Sequence, residues 1–66
     1  MNYDEIKSKL REAEELVRQG YLLKADQLIR SMVGKGLTGL DIQANISSDT
    51  LKKLNKFAKD KANESQ

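Results

Sequence analysis

Tyr3, Ile6, Leu10, Ala13 and Val17 follow one another at intervals of three, four, three and four residues, a spacing that lines up on one side of a helix and on neither face of a strand. Residues so placed form a single apolar seam of the kind that packs against another helix at a shallow angle. Asn2 and Glu5 form a capping pair in front of this seam: the Asn side chain accepts an orphan amide of the first turn, and the Glu5 carboxylate reaches back to the Asn2 amide. The pair predicts a helix that begins at Tyr3. Gly20, free to take the left-handed conformation of a C-terminal cap, predicts its end at Gln19. On the outer face Glu14 and Arg18, four residues apart, add an ion pair.

Tyr21 to Val33 reads as a second helix with a surplus of apolar positions. Two overlapping seams run along it, one through Leu22, Ala25, Ile29 and Met32, the other through Tyr21, Ala25, Leu28 and Met32. A helix apolar over more than half its circumference needs partners on two sides. The short link at Gly20 makes the first two helices an antiparallel hairpin, which covers one side. The small Ala13 and Ala25 permit close approach there, and Tyr3 and Tyr21 are expected to cap the ends of the core. The other side requires the rest of the chain or a second subunit, and length favours the subunit. A chain of 66 residues buries only about 60% of the surface it exposes when unfolded, and small domains compensate with disulfides, a metal or association. Cysteine and histidine are both absent, so a disulfide is excluded and a zinc site would rest on carboxylates alone. The expectation is therefore a homodimer, with Ile6, Leu10, Val17, Leu22, Leu28, Ile29 and Met32 as its self-association residues.

Three of the four glycines fall between Gly34 and Gly39, a density that breaks helices and predicts a turn. Leu37, Leu40, Ile42, Ala44 and Ile46 follow in a segment read as a turn or two of helix. Ser47, Ser48 and Asp49 are each suited to cap a last helix, which carries Leu51, Leu54, Phe57, Ala58 and Ala62 on one face. The fold class expected is all-α: an antiparallel helical hairpin, a short segment and a C-terminal helix, packed as a dimeric helical bundle. Residues 1–62 make a single helical domain and residues 63–66 a polar tail that frays.

The residue inventory also bounds the function. Without histidine and cysteine the chain lacks the side chains most used as general base and nucleophile near neutral pH, and a body this small has little room for a water-excluding cleft. Catalysis, a cofactor and a small-molecule substrate are not expected. No apolar run approaches the roughly 18 residues of a membrane span, and Met1 leads into charged residues in place of a signal-peptide hydrophobic stretch. A cytoplasmic protein that does not engage membranes is expected.

Four patterns bear on partners. Gly34, Gly36 and Gly39 spell G-x-G-x-x-G, whose amides cradle a pyrophosphate when a buried strand precedes them and a helix with a distant acidic residue follows. Helix-periodic residues precede them here, so an inter-helix turn is expected, with Lys35 solvated. Lys52, Lys56 and Lys59 lie together opposite the apolar stripe of the last helix, flanked by Lys53 and Lys61, and outnumber Asp49, Asp60 and Glu64 in that region. Such a cluster attracts nucleic acid without sequence preference, and Lys52, Lys53, Lys56 and Lys59 are the candidate contacts. Leu40, Ile46, Leu51 and Leu54 can be matched to the buried positions of a helix-turn-helix, although Asp41 then falls where the crossing helices need a small residue and no Arg or Gln is placed to read bases. Finally, Ala13 to Ile29 resembles half of a tetratricopeptide unit, a helix, a turn and a helix with alanine at the close contact. A repeat array needs several units of about 34 residues, and no second copy is present. These patterns lead to a small non-enzymatic regulatory or adaptor protein that self-associates and binds a protein partner. The alternative is a dimeric DNA-binding transcriptional regulator using the basic C-terminal helix.

Overall fold

The computed structural model describes residues 2–64, which fold into four helices: α1 (Tyr3–Arg18), α2 (Leu22–Val33), α3 (Gly39–Asn45) and α4 (Ser48–Glu64). Among the described residues there is no strand, and the protein is all-helical. Asn2 caps α1 as its position requires, its Oδ1 accepting the Glu5 amide at 2.9 Å. The helix closes one residue earlier than the sequence suggests, with Gln19 as the cap residue and Gly20 beyond it at φ +90°. There the Gly20 amide donates to the Val17 carbonyl and the Tyr21 amide to the Leu16 carbonyl. These two bonds define a Schellman ending, in which a left-handed glycine lets the chain turn back and satisfy the last free carbonyls.

The same device ends α2. Gly36, at φ +105°, donates its amide to Val33, and the Leu37 amide donates to Met32. The residue past the left-handed glycine commonly packs back on the last turn of the helix, and here Leu37 joins Met32 in the core. Gly34 is the right-handed cap of α2 and Gly39 is the first residue of α3. The glycine triplet is thus a helix-turn-helix connection in which only Gly36 uses positive φ, as the turn reading expects, and a helix stands where a dinucleotide fingerprint needs a strand.

Thr38 starts α3 with a capping box. Its Oγ1 accepts the Asp41 amide at 3.3 Å, and the Asp41 carboxylate accepts both the Thr38 amide and the Thr38 hydroxyl. Asp41, awkward in the helix-turn-helix register, is here an N-terminal cap partner. Of the three candidate caps for α4, Ser47 takes the position: its Oγ accepts the Thr50 amide and its carbonyl the Leu51 amide. α4 continues to Glu64, so Asn63 and Glu64 are helical where the sequence suggests the start of a frayed tail; Ser65 and Gln66 lie outside the described residues.

The core forms two adjoining clusters. Leu10, Met32, Leu37 and Ile46 make the first, with Ile6, Leu28, Ile42 and Leu51 packed against it. Val17, Ala25 and Leu54 make the second, with Leu16 and Leu22 against it. Ile29 touches both clusters. Ala13 and Ala25 are wholly buried, which fits the close approach expected of α1 and α2. Leu37, Ile46 and Leu54 pack beside α2 in these clusters and cover part of its surplus apolar surface, while Leu23 and Val33 stay exposed. Tyr3 and Tyr21 do not cap this core. Each is 53% exposed, with the Lys7 ammonium 5.0 Å from one ring centre and the Lys24 ammonium 5.3 Å from the other. An aromatic ring holds a cation at that distance while keeping its hydroxyl in water. Among the described residues no helix is long and apolar enough to cross a membrane.

Candidate functional site

A second stripe runs along α2 beside the seam through Ala25 and Met32. Leu22, Asp26, Ile29 and Val33 are spaced four, three and four residues apart, and Leu51, Asn55 and Ala58 repeat that spacing on α4. Ile42 of α3 closes one end. Between these walls lies an open groove of about 160 Å³ lined by Asp26, Ile29, Ile42, Leu51, Leu54, Asn55 and Ala58. Pockets that enclose metabolites start near 300 Å³, so the groove has the capacity of one or two side chains. It stays open because α4 meets the α1–α2 pair mainly through Thr50, Leu51 and Leu54, while Ala58 offers only a methyl group to the gap.

One charge lines the groove. The Asp26 carboxylate is mostly covered, and Arg30, one turn further along α2, donates Nε–H to it at 2.9 Å while the rest of its side chain lies in solvent. A carboxylate beside apolar carbons is retained at this depth because a charge-assisted hydrogen bond replaces the water it loses.

The outer face of α4 is rich in lysine. Five ion pairs lie on α1 and α2, such as Lys7 with Asp4, Lys9 with Glu12, and Arg18 with both Glu14 and Glu15. Lys52, Lys53, Lys56 and Lys59 are exposed, and no described carboxylate pairs with any of them. Lys52 and Lys59 stand one turn to either side of Asn55, which places them along the outer rim of the groove. The four lysines proposed from sequence are thus brought to one helix, and two of them border a cavity whose apolar lining the sequence did not disclose.

A second, polar recess of about 230 Å³ is walled by Arg11, Glu14, Glu15, Arg18 and Asn45. Glu14 sits at its centre with one oxygen 3.6 Å from Arg18 and the other accepting the Ser47 amide at 2.9 Å. That bond spans 33 residues and puts a carboxylate against the positive end of α4, a favourable position for a negative charge. The recess is thereby a structural tie between α1 and α4.

The seven residues proposed for self-association are engaged by the chain itself. Leu10, Val17 and Met32 are buried, and Ile6, Leu22, Leu28 and Ile29 are half-buried against them. Pairing of two copies has the groove and the exposed Leu23, Val33 and Leu40 left to use. Leu40 also departs from the helix-turn-helix pattern: the pattern buries it, whereas it is 78% exposed here. Ala62, assigned to the inner face of the last helix, is exposed as well. Comparison with protein-family models, curated proteins and solved structures finds no match to this chain.

Proposed function

We propose that this protein is a non-catalytic adaptor or regulatory module that binds a protein partner through the groove between α2 and α4. An antiparallel hairpin of α1 and α2 is its scaffold, and α4 supplies the far wall. The observation that carries this reading is the groove itself: Ile29, Ile42, Leu51, Leu54 and Ala58, most of them also packed in the core, line an open apolar strip between α2 and α4. Apolar surface between two helices is a seat for a third. The absence of cysteine fits a reducing, cytoplasmic setting. Site-specific photo-crosslinking tests the proposal, with the reactive group placed at Asn55 in the groove or at Glu12 on the outer face of α1, in extracts of the producing cell. A discrete protein adduct from position 55, with none from position 12, is expected. Equal labelling from both positions would refute it.

A second reading, nucleic-acid binding by α4, is favoured by the four exposed lysines, none of which is in an ion pair with a described carboxylate. Phosphate contacts through lysine alone make an association uniform across sequences and steeply weakened by salt. Loss of all position-55 adducts after nuclease treatment would promote this reading over the first.

A further inference from the structure

We infer that the occupant of the groove is an acidic amphipathic helix from a different protein, an inference that rests on the groove reading above and adds the partner's chemistry. The floor sets the apolar requirement. Ile29, Leu51, Leu54 and Ala58 present only hydrocarbon, and Val33, one turn beyond Ile29 on the same stripe of α2, is half exposed and prolongs the strip. The groove's lining runs from Leu51 to Ala58 on α4, about 10 Å at 1.5 Å per residue, or two helical turns, enough to take one or two side chains from one face of a guest helix. The methyl of Ala58 lets a partner backbone approach α4 closely, as packed helices with small contact residues do.

The rim sets the charge. Lys52 and Lys59 border the groove on the α4 side without a carboxylate partner, with Lys56 behind them. On the α2 side Arg30 is already paired with Asp26, so the rim charge left for a guest is that of the α4 lysines. A helix laid in the groove places the residues on its α4 side against Lys52 and Lys59, and Glu or Asp there would pair with them. The one acid of the lining already has its counter-ion, so the groove does not demand a basic residue from its guest.

Two other occupants fit less well. A second copy of this chain has no such helix to offer. The apolar seam of α1 is buried at Leu10, Ala13 and Val17, and its acids Asp4, Glu12, Glu14 and Glu15 pair with bases on the same helix. Its α4 would set lysine against lysine. A nucleic acid would satisfy the lysines and leave the apolar floor in water.

The test uses three synthetic helical peptides of 18 residues that share one heptad stripe of leucine and carry Glu, Gln or Lys at the flanking positions. Each is titrated into the isotope-labelled full-length protein and followed by amide chemical shifts. The Glu peptide is expected to shift Ile29, Leu51, Asn55 and Ala58, to bind about tenfold more tightly than the Gln peptide, and to lose that advantage in high salt. The paired substitution K52E and K59E, at exposed positions that leave the melting temperature unchanged, is expected to reverse the order of the Glu and Lys peptides. Groove shifts of equal affinity for all three peptides would refute the acidic partner and leave the docking reading standing. Groove residues unmoved by every peptide would refute both. Duplex DNA shifting the groove residues more strongly than the Glu peptide would also overturn the inference.

Discussion

Three glycines within six residues of chain are expected to respond to alanine in opposite directions, because only one of them uses backbone that alanine resists. At Gly36 a Cβ would meet nothing within 4 Å, so the whole effect of Gly36→Ala is conformational. Positive φ costs an L-residue roughly 1–2 kcal/mol, and φ of +105° lies well past the centre of the left-handed basin, toward the upper end of that range. The smaller entropy of the unfolded alanine chain offsets roughly 0.4–1 kcal/mol. A net loss of about 1 kcal/mol remains, which in a domain this small lowers Tm by about 4–8 °C. Gly39 opens α3 at negative φ with open space around it, and Gly34 is right-handed with ordinary contacts to the Ser31 and Arg30 carbonyls. At both, alanine keeps the entropic gain and bears no strain, so Tm should rise by about 2–6 °C. Asparagine, which tolerates left-handed backbone better than alanine, should fall between glycine and alanine at position 36. Thermal melts by circular dichroism at 222 nm on the four variants decide the matter. A Gly36→Ala protein as stable as Gly39→Ala would refute the Schellman ending of α2.

Thr38→Ala removes the acceptor of the Asp41 amide and should cost about 1 kcal/mol, visible as faster hydrogen exchange at the first amides of α3 with α1 unchanged; undiminished protection there would show that the capping box does not hold α3. Leu10, fully buried, should lose about 2–5 kcal/mol on substitution by alanine, a large share of the stability of so small a domain. The same change at exposed Leu23 should stay within about 0.5 kcal/mol, and equal urea midpoints for the two variants would contradict the core assignment. Leu37, Ile46 and Leu54 cover part of α2 within the chain, which lessens its need for a second copy, and light scattering from micromolar to millimolar concentration is expected to give a monomer whose melting midpoint is independent of concentration. A midpoint that climbs with concentration would favour the homodimer that the sequence suggests.

The helical class and the limits of α1 were legible because they rest on local chemistry: the seam from Tyr3 to Val17, the Asn2 cap and the Gly20 stop act over four residues or fewer. α3 was harder. Seven residues are too few to show a period, and Leu37 and Leu40 look alike in sequence although one enters the core and the other faces water. The signal that marks it is the pair Thr38 and Asp41, three apart, of which the sequence reading takes in Asp41 alone, as the mismatch in the helix-turn-helix register. Thr50 is buried although polar, and no hydropathy pattern finds such a residue; its Oγ1 accepts the Ser47 hydroxyl at 3.0 Å, which makes burial tolerable. The rim lysines were visible from their spacing on one helix. The groove itself was not, since its lining comes from α2, α3 and α4 and exists only once α4 is docked. The stripe Leu22, Asp26, Ile29 and Val33 was present as a clue, hidden by the stronger seam through Ala25 and Met32 that shares its helix.

The bond from the Ser47 amide to Glu14 gives the groove a thermodynamic property of its own. α4 is fastened at its first turn by that bond and at its middle by Leu54, while Lys61 to Glu64 are exposed throughout. Past Leu54 no described residue of α4 is fully buried, so this wall of the groove is anchored chiefly along its first half. Occupancy and the docking of α4 are then two readings of one equilibrium: a guest that needs both walls adds its free energy to the closure of α4, and a change that loosens α4 subtracts from affinity without touching the guest. Under the proposed docking Glu14, which does not itself line the groove, would become a control point for binding, and the exchange protection of the α4 amides would gauge how full the groove is.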